Sequence, residues 1–321
     1  MRRLRSLSPR YAFSLVELVV VVAIVAIGLA LALPGLQRAR ESARQNQCQS
    51  NLKRIGAALH SYHDTHDRFP YASSYSVSAR HEPGVGHTWN EFLLPYMEMS
   101  ADYLKLDFLV PNTIEPNASV LDGLKLPWQC CPSNDFSEKM RDFAGNLFDP
   151  AKVRTQGQFY ALCTGTQIGD GNTGFDCSAL GLRPGSYCCT AGSDWDSPAP
   201  AANPGLFGGR NPYSAALKDV TDGAGLTFMV GERRAELLHW GGAFSPSFPG
   251  APTTMTLNSK RINTQDVRDY GHNWGFSSRH DGGANFLFVD GKVRFINNAI
   301  DYKTYCRLGD KADGDDVRVP D

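Results

Sequence analysis

The residues best suited to chemistry in this sequence are one acid inside an apolar run and a cluster of four aspartates near the C terminus. Glu17 lies inside an apolar run, residues 13–33, and an Asp-like charge at the centre of a bilayer costs about 2.5–3.5 kcal/mol. Near the C terminus, the segment GDKADGDDVRVPD concentrates four aspartates, Asp310, Asp313, Asp315 and Asp316. Calcium prefers several carboxylates in a glycine-containing loop, so a calcium site is one hypothesis for this segment, although an acidic tail of this kind is more often simply solvated.

The histidines do not form a recognisable catalytic motif. The segment HEPGVGH lacks the H-E-x-x-H spacing of metalloproteases, no G-x-S-x-G occurs, and no P-loop or G-x-G-x-x-G follows a predicted strand. His280 with Asp281 and Asp290 could serve acid–base chemistry, but polar contacts that fix a hairpin turn are the simpler interpretation. His60 and His63 have the spacing of a metal pair on a helix, although a solvated helix end explains them as well. We therefore expect no enzyme.

Eight cysteines are an even number, and an exported chain would use them mainly in disulfides. A zinc site with two C-x-x-C pairs is not present in the sequence, and buried free thiols are the remaining alternative. Connectivity among eight cysteines cannot be deduced from sequence. The pair Cys163 and Cys177 is the best single prediction, because it brackets a short, polar, glycine-rich loop.

The apolar run has the length of a membrane span. Its 21 residues, 13–33, would form a helix about 30 Å long, and four arginines but no acids precede it. This asymmetry predicts a cytoplasmic N terminus and an extracytoplasmic body. A secretory signal cleaved after Ala30-Leu31-Ala32, an uncleaved anchor and a prepilin-type signal are the three interpretations, and only the prepilin type has a use for Glu17.

The segment AFSLVELVVVVAIVAIGLALALPG resembles the N terminus of type IV pilins and type II secretion pseudopilins. The resemblance implies cleavage between Ala12 and Phe13 by a prepilin peptidase, followed by methylation of the new Phe13 amine. It also implies that Glu17 pairs with the terminal amine of a neighbouring subunit, and that Pro34 kinks the helix. Those families more often have glycine before the cleavage site, so Ala12 departs from their pattern.

The helical pattern continues past the apolar run. An apolar stripe with helical spacing predicts one long helix from Phe13 to about His63, and its members are Cys48, Leu52, Ile55, Leu59 and Tyr62. Such a helix would be about 75 Å long, which is typical of a membrane span that continues into a domain.

The rest of the chain predicts a mixture of short helices and strands. We expect a helix over Trp89–Phe108 broken at Pro95, a strand running into a turn over Leu126–Asp135, and a turn and strand over Val220–Glu232. Residues 282–296 predict a hairpin with a type I′ turn at Asp290-Gly291 and a first strand buried on both faces. The predicted fold class is α+β and pilin-like, with the long transmembrane helix packed on an antiparallel sheet.

Several of these segments, taken in order, resemble the planctomycete domain-of-unknown-function 1559 family. They are FSLVELVVVVAIVAI, CQSNLKRIGAALHSYHDTHDRFP, LLPYME, CCPSND, VTDGAGLTFMVGE and RHDGGANFLFVDGKVRFI. The last contains the signature of a histidine, nine residues and Asp-Gly, here His280 and Asp290-Gly291. The resemblance implies a pilin-like, surface-directed protein and supplies no substrate.

These observations predict a leader peptide at residues 1–12, a transmembrane half-helix at 13–33, an extracytoplasmic half-helix at 34–65 and an α+β domain at 66–321. The expected function is that of a structural subunit of a pilus or pseudopilus-type assembly. The expected location is the cytoplasmic (inner) membrane, with the cell surface as a second possible location. The expected partners are the prepilin peptidase, other pilin-like subunits and membrane lipid. Nucleic acid is not expected, because the net charge is −1. The alternative is an anchored extracytoplasmic ligand-binding domain that uses the signal only for sorting. No cofactor other than calcium is expected.

Overall fold

The computed structural model describes residues 15–74, 86–134, 140–141, 153–166, 199–200, 203–209, 211–238, 241–246, 248–260, 262, 264–265 and 273–314. The chain divides into two compact units, Met1–Arg44 and Gln45–Asp321, which are considered separately below.

Helix α1 begins at Leu15 and ends at His66, so the predicted long helix is confirmed. It continues through Pro34 without ending. In the first unit its large apolar side chains are exposed; Leu15 and Leu31, for example, keep 79% and 77% of their surface accessible. Among the described residues, α1 alone is long and apolar enough to cross a membrane by length and composition. Exposure of so many apolar side chains indicates a surface made for lipid or for other apolar helices.

The second unit contains a five-stranded sheet in the order β5-β3-β4-β6-β7. The strands are β3 (Tyr160–Cys163), β4 (Phe228–Glu232), β5 (Gly250–Ala251), β6 (Gly283–Phe288) and β7 (Val293–Asn297), while β1 (Met140–Arg141) and β2 (Thr155–Gln156) pair separately. The neighbours β3–β4, β4–β6 and β6–β7 are antiparallel, but β5 pairs with β3 in parallel. The sheet is therefore mixed, whereas the sequence predicts an antiparallel sheet, and the difference lies at one edge.

Both faces of the sheet are covered. On one face, the second half of α1 buries the predicted stripe of Cys48, Leu52, Ile55 and Leu59 in a cluster that includes Leu287 of β6. The other face carries a second cluster, which includes Phe228, Phe286 and Phe288 of the sheet and Tyr305 and Leu308 of helix α5 (Tyr302–Gly309). All six residues of β6 are buried, which confirms that this strand is covered on both faces.

The remaining helices are short: α2 (Trp89–Leu93), α3 (Ser100–Tyr103) and α4 (Asn117–Leu121). The predicted break at Pro95 is confirmed, because α2 passes there into a 3-10 turn, Leu94–Met97. The strand predicted within Leu126–Asp135 is wrong: Pro127 begins a 3-10 turn, Pro127–Gln129, which leads into the turn that starts at Cys131. Proline lacks the N–H that a ladder needs, so it suits the start of a helical turn better.

The β6–β7 hairpin is confirmed, but its turn is not of type I′. Gly291 has φ of 79°, whereas Asp290 is not among the residues with positive φ. The amide of Gly291 donates to Phe288 O at 3.0 Å, and the amide of Phe288 donates to Lys292 O at 2.9 Å. This is the longer connection in which a turn is followed by one left-handed residue, and glycine adopts that conformation without a steric cost.

Candidate functional site

Four side chains that can bind metal ions meet in the interior of the second unit. They are Cys48 on α1, Cys131 in the turn after Pro127–Gln129, Glu232 at the end of β4, and His280 just before β6, all buried. One thiol sulfur, imidazole nitrogen or carboxylate oxygen from each lies within 4.8 Å of the others. We call this group the thiol–imidazole cluster.

The distances within the cluster are short. The sulfurs of Cys48 and Cys131 are 2.9 Å apart, and Cys131 Sγ lies 4.0 Å from His280 Nε2. The same imidazole nitrogen lies 3.3 Å from Glu232 Oε1. Sulfur, nitrogen and oxygen atoms therefore converge on one point in the core.

The backbone around Cys131 directs its sulfur into the cluster. Asn134 N–H donates to Cys131 O at 2.9 Å and closes a turn, and the backbone N–H of Ser133 donates to Cys131 Sγ. From α1, Asn51 Nδ2 donates to Cys130 O at 2.6 Å, which fixes the turn to the helix one turn beyond Cys48. The two cysteines are thus held together by backbone contacts as well as by core packing.

A second layer of polar groups orients the carboxylate and the imidazole. Asn285 donates to Glu232 twice, from its backbone N–H to Oε2 at 2.8 Å and from its amide to Oε1 at 2.9 Å. Gln49 Nε2 in turn donates to Asn285 Oδ1 at 3.0 Å. On the imidazole, Nδ1 lies 3.4 Å from Ser133 Oγ. In the tautomer whose Nδ1–H donates to that hydroxyl, Nε2 is left with a lone pair facing the cluster.

The two thiols influence each other's protonation. Their mutual hydrogen bond lowers the pKa of Cys48 and, together with burial, raises the pKa of Cys131. Burial also raises the pKa of Tyr160, whose hydroxyl donates to Cys48 and accepts from Asn51 Nδ2 at 3.3 Å. The hydrogen bond between the two thiols thus favours the loss of a proton from Cys48 over its loss from Cys131, and thiolates are the form that binds metal ions.

Residues of the predicted family signature are separated by the fold. His280 contacts Cys131 and Glu232 in the interior, at 4.0 and 3.3 Å from its Nε2. Asp290 lies in the hairpin turn, where its carboxylate accepts from Lys292 N at 3.0 Å and pairs with Lys292 Nζ at 3.1 Å. Gly291 supplies the left-handed residue of the same turn. The signature thus contains one residue of the buried cluster, His280, and the two residues Asp290-Gly291 of the turn that follows β6.

The predicted Cys163–Cys177 disulfide is not supported at Cys163. Cys163 carries a free thiol, fully buried on β3, and its sulfur donates to Gly309 O at 3.7 Å. The side chain points into the core under α5, in the cluster that contains Tyr305 and Leu308. Cys177 lies outside the described residues. Cys306 of α5, in contrast, is disulfide-bonded.

The calcium candidates have separate surroundings where the structure describes them. Asp310 is buried, and its carboxylate accepts from Thr166 N at 2.7 Å and Thr166 Oγ1 at 2.8 Å. Asp313 donates its backbone N–H to the carboxylate of Asp222. Calcium binding by this segment stays a prediction. Outside the described residues lie Asp315 and Asp316.

The N-terminal site residues are described only in part. Glu17 lies in the first turn of α1, where a helix dipole favours a negative charge, and it is exposed. Pro34 lies inside the helix. Ala12 and Phe13 are outside the described residues. The exposed apolar helix and the sequence around Glu17 indicate membrane anchoring.

Sequence reasoning misses three of the four cluster residues. The sequence places Cys48 in the apolar stripe, Cys131 among the eight cysteines, and Glu232 at the end of a strand. No local spacing joins them, because they are contributed by segments far apart in the chain. The only sequence indication is that each lies in one of the segments that carry the family resemblance.

Two protein-family descriptions match the chain. "Protein of unknown function (DUF1559)" matches residues 37–303, and "Prokaryotic N-terminal methylation motif" matches residues 7–33. The chain is also similar to a curated relative, the "Competence protein ComGC" of Halalkalibacterium halodurans, with 36% identity over 58 residues. That similarity covers 18% of this chain and 57% of the relative, so the chain spans little more than half of that protein. No solved structure matches the present chain. The family resemblances drawn from the sequence are confirmed.

Proposed function

The chain belongs to the family described as "Protein of unknown function (DUF1559)", and we propose that it acts as a non-enzymatic structural subunit of a pilus or pseudopilus-type assembly. The observation that carries this proposal is Glu17, an acid in the first turn of an exposed apolar helix and inside the residues that match the methylation motif. That match shows a pilin-like chain in general. What we propose is its use as a subunit of a pilus or pseudopilus-type assembly.

The apolar first half of α1 suits two successive environments. In the membrane its exposed side chains contact lipid, and in an assembly they contact the same helix of neighbouring subunits. Neither environment provides water for a charge, so an acid there must find an oppositely charged partner. A processed N terminus provides that partner, because cleavage before Phe13 creates an amine close to the depth of Glu17.

The pairing would also fix how subunits align along an assembly. An amine and a carboxylate buried together offset each other's desolvation only in one alignment of neighbouring helices. Any other alignment leaves both charges without a partner, at a cost of several kcal/mol. The prepilin peptidase and other pilin-like subunits are the partners that this account requires, with the body on the extracytoplasmic side.

The test compares assembly with membrane insertion in cells that produce the full chain. Glu17→Val should still insert and be cleaved, since it removes a charge from an apolar segment. It should lose oligomers recovered by shearing or by cross-linking by more than about tenfold, because the neighbour's amine then lacks its partner. Glu17→Asp keeps the charge with a shorter reach and should give an intermediate yield.

Glu41→Val serves as the matched control. It removes an acid from the same helix, but from a position beyond the matched motif, where Glu41 pairs with Arg44 at 2.6 Å. Its oligomers should remain at the wild-type level. Wild-type oligomer yields from Glu17→Val would contradict the proposal and favour an anchored binding domain that uses the signal only for sorting.

A further inference from the structure

We propose that the thiol–imidazole cluster binds one divalent metal ion of the zinc class. The ion would be held by Cys48 Sγ, Cys131 Sγ, one Glu232 oxygen and His280 Nε2, and it would join α1, the Cys131 turn, β4 and the segment before β6. The four cluster residues belong to the second unit, whereas the proposed role in assembly rests on Glu17 of the first unit, so the two proposals stand or fall separately.

The composition of the cluster is the first argument. Thiolates, a neutral imidazole and a carboxylate are the three kinds of ligand that zinc takes in proteins, and four is the number it takes in structural sites. All four side chains are buried, with Cys48 and Glu232 exposing 0% and 2% of their surface. Buried carboxylates and thiolates are costly without a compensating cation, so their meeting at one point calls for one.

The distances are the second argument. Bonds of about 2.05 Å to nitrogen and oxygen at a tetrahedral angle place those two atoms about 3.3 Å apart. His280 Nε2 and Glu232 Oε1 are separated by 3.3 Å. The same geometry places sulfur and nitrogen about 3.6 Å apart, against 4.0 Å between Cys131 and His280. Two of the edges of a tetrahedral site are thus present to within about half an ångström.

The two sulfurs would have to separate. Thiolates bound to one tetrahedral zinc lie about 3.8 Å apart, and disulfide sulfurs lie about 2.05 Å apart. The observed 2.9 Å falls between these values, and either outcome needs a movement of less than about 1 Å. A disulfide would use only the two sulfurs, whereas a metal ion would also use the carboxylate of Glu232 and the imidazole of His280 that converge on the same point, and this favours the metal.

The second layer of polar groups supports the same assignment. A metal-binding histidine normally donates its other N–H to a nearby oxygen, as His280 Nδ1 can to Ser133 Oγ. Ligating carboxylates are themselves hydrogen-bonded, as Glu232 is by Asn285. The backbone N–H of Ser133 donates to Cys131 Sγ, and such a bond favours the thiolate.

Four protein ligands in a buried site leave no open position for substrate. The ion would therefore act as a structural cross-link, which fixes the second half of α1 to the sheet and to the turn after Pro127–Gln129. A bound ion would also keep both thiols reduced in an oxidising compartment.

The experiment measures metal in the full chain, purified in detergent without chelators, incubated with zinc and then dialysed. We expect about one zinc per wild-type chain. Cys131→Ser, Glu232→Gln and His280→Gln should each retain less than about a tenth of the wild-type zinc. Asn285→Ala removes the side-chain donor to Glu232 Oε1 and the acceptor for Gln49 but keeps the backbone N–H bond to Oε2, and it should weaken zinc affinity about 10–100-fold. Cys163→Ala is the matched control, a buried cysteine whose sulfur contacts Gly309, and it should keep the wild-type content.

Two measurements on the wild type keep the proposal falsifiable if a variant fails to fold. Cobalt(II) in place of zinc should give the absorption of thiolate-bound, tetrahedral cobalt, and zinc should displace it. Absence of that absorption would overturn the proposal. So would an intact mass and a thiol alkylation pattern showing that Cys48 and Cys131 form a disulfide in protein that takes up no zinc.

Discussion

Replacing Gly56 by valine tests how closely helix α1 packs on strand β6. A Cβ atom at Gly56 would lie 3.0 Å from both methyl carbons of Leu287 and 3.6 Å from its Cγ. Carbon atoms in cores prefer separations of about 3.5–4.0 Å, so the Leu287 side chain would have to move. Helix α1 and strand β6 can therefore approach this closely because residue 56 is a glycine, which has no side chain.

The magnitude follows from two opposing effects. Alanine stabilises a helix by about 1 kcal/mol relative to glycine, which offsets a small displacement of Leu287, so Gly56→Ala should change stability by less than about 1 kcal/mol. Valine adds two further carbons in a full core and should destabilise by about 1–3 kcal/mol. For a body of this size the melting temperature should fall by about 2–4 °C for each kcal/mol.

Unfolding of the full chain in detergent can be followed by tryptophan fluorescence, because Trp89 and Trp128 are buried in the core. Gly35→Val is the matched control, because it makes the same change in the same helix where nothing lies within 4 Å. The double variant Gly56→Val with Leu287→Ala should be more stable than the sum of the single changes predicts, by about 0.5–3 kcal/mol. Additive effects, or a Gly56→Val protein as stable as the wild type, would refute this packing.

Two further predictions concern Gly231 of strand β4 and Asp310, the residue after helix α5. Gly231→Ala would place a carbon 2.5 Å from Phe286 Cε1 and 2.6 Å from Phe276 Cδ1, and should lower the free energy of unfolding by about 1–3 kcal/mol; an unchanged denaturation midpoint would contradict this. Burial raises the pKa of Asp310 to about 7, so the stability it contributes is full below its ordinary pKa of 3.8 and is lost as pH rises through 7. Asp310→Asn carries no charge; it keeps one acceptor oxygen for Thr166 N–H and places an amide NH2 beside the Thr166 hydroxyl, which can turn to accept from it. The variant should remove a slope of up to about 1.4 kcal/mol per pH unit in this window. Denaturation midpoints at about pH 4 and about pH 7 measure that slope, and an equal slope in both proteins would contradict the assignment.

The long helix and the hairpin are predictable because their patterns are local. The apolar stripe through Leu52, Ile55 and Leu59 repeats with the helical period, and the period alone tells which side faces the core. Asp290-Gly291 between two apolar segments indicates a hairpin for a similar reason. The details of the turn are not predictable, because a Gly291 in the left-handed conformation suits more than one turn type.

The parallel edge of the sheet could not be predicted. Strand β5 has two residues, Gly250 and Ala251, which are too few to show an alternating pattern. Its pairing with β3 depends on the path of the chain between β4 and β5 and not on its own composition. The turn at Pro127 resembles a strand in sequence because apolar residues flank it, and they are buried in the core without forming a strand.

The thiol–imidazole cluster is not predictable for a different reason. Cys48 fits the stripe as a small apolar residue, so its position in the helix accounts for it without further function. Cys131, Glu232 and His280 come from a turn, a strand end and a loop, and only the packing of α1 on the sheet brings them to Cys48. Short-range spacing detects metal sites whose ligands are close in sequence, and no two of the four cluster residues are close in sequence.

The mass of the mature N terminus tests the central claim, that this chain is processed and used as a pilin-like subunit. Intact and N-terminal peptide mass spectrometry of the chain from membranes should show a start at Phe13 carrying one added methyl group. Cells without the prepilin peptidase should retain the leader, residues 1–12. A mature start at Leu33, after Ala30-Leu31-Ala32, would show ordinary signal-peptide cleavage, remove Glu17 from the protein and contradict the account.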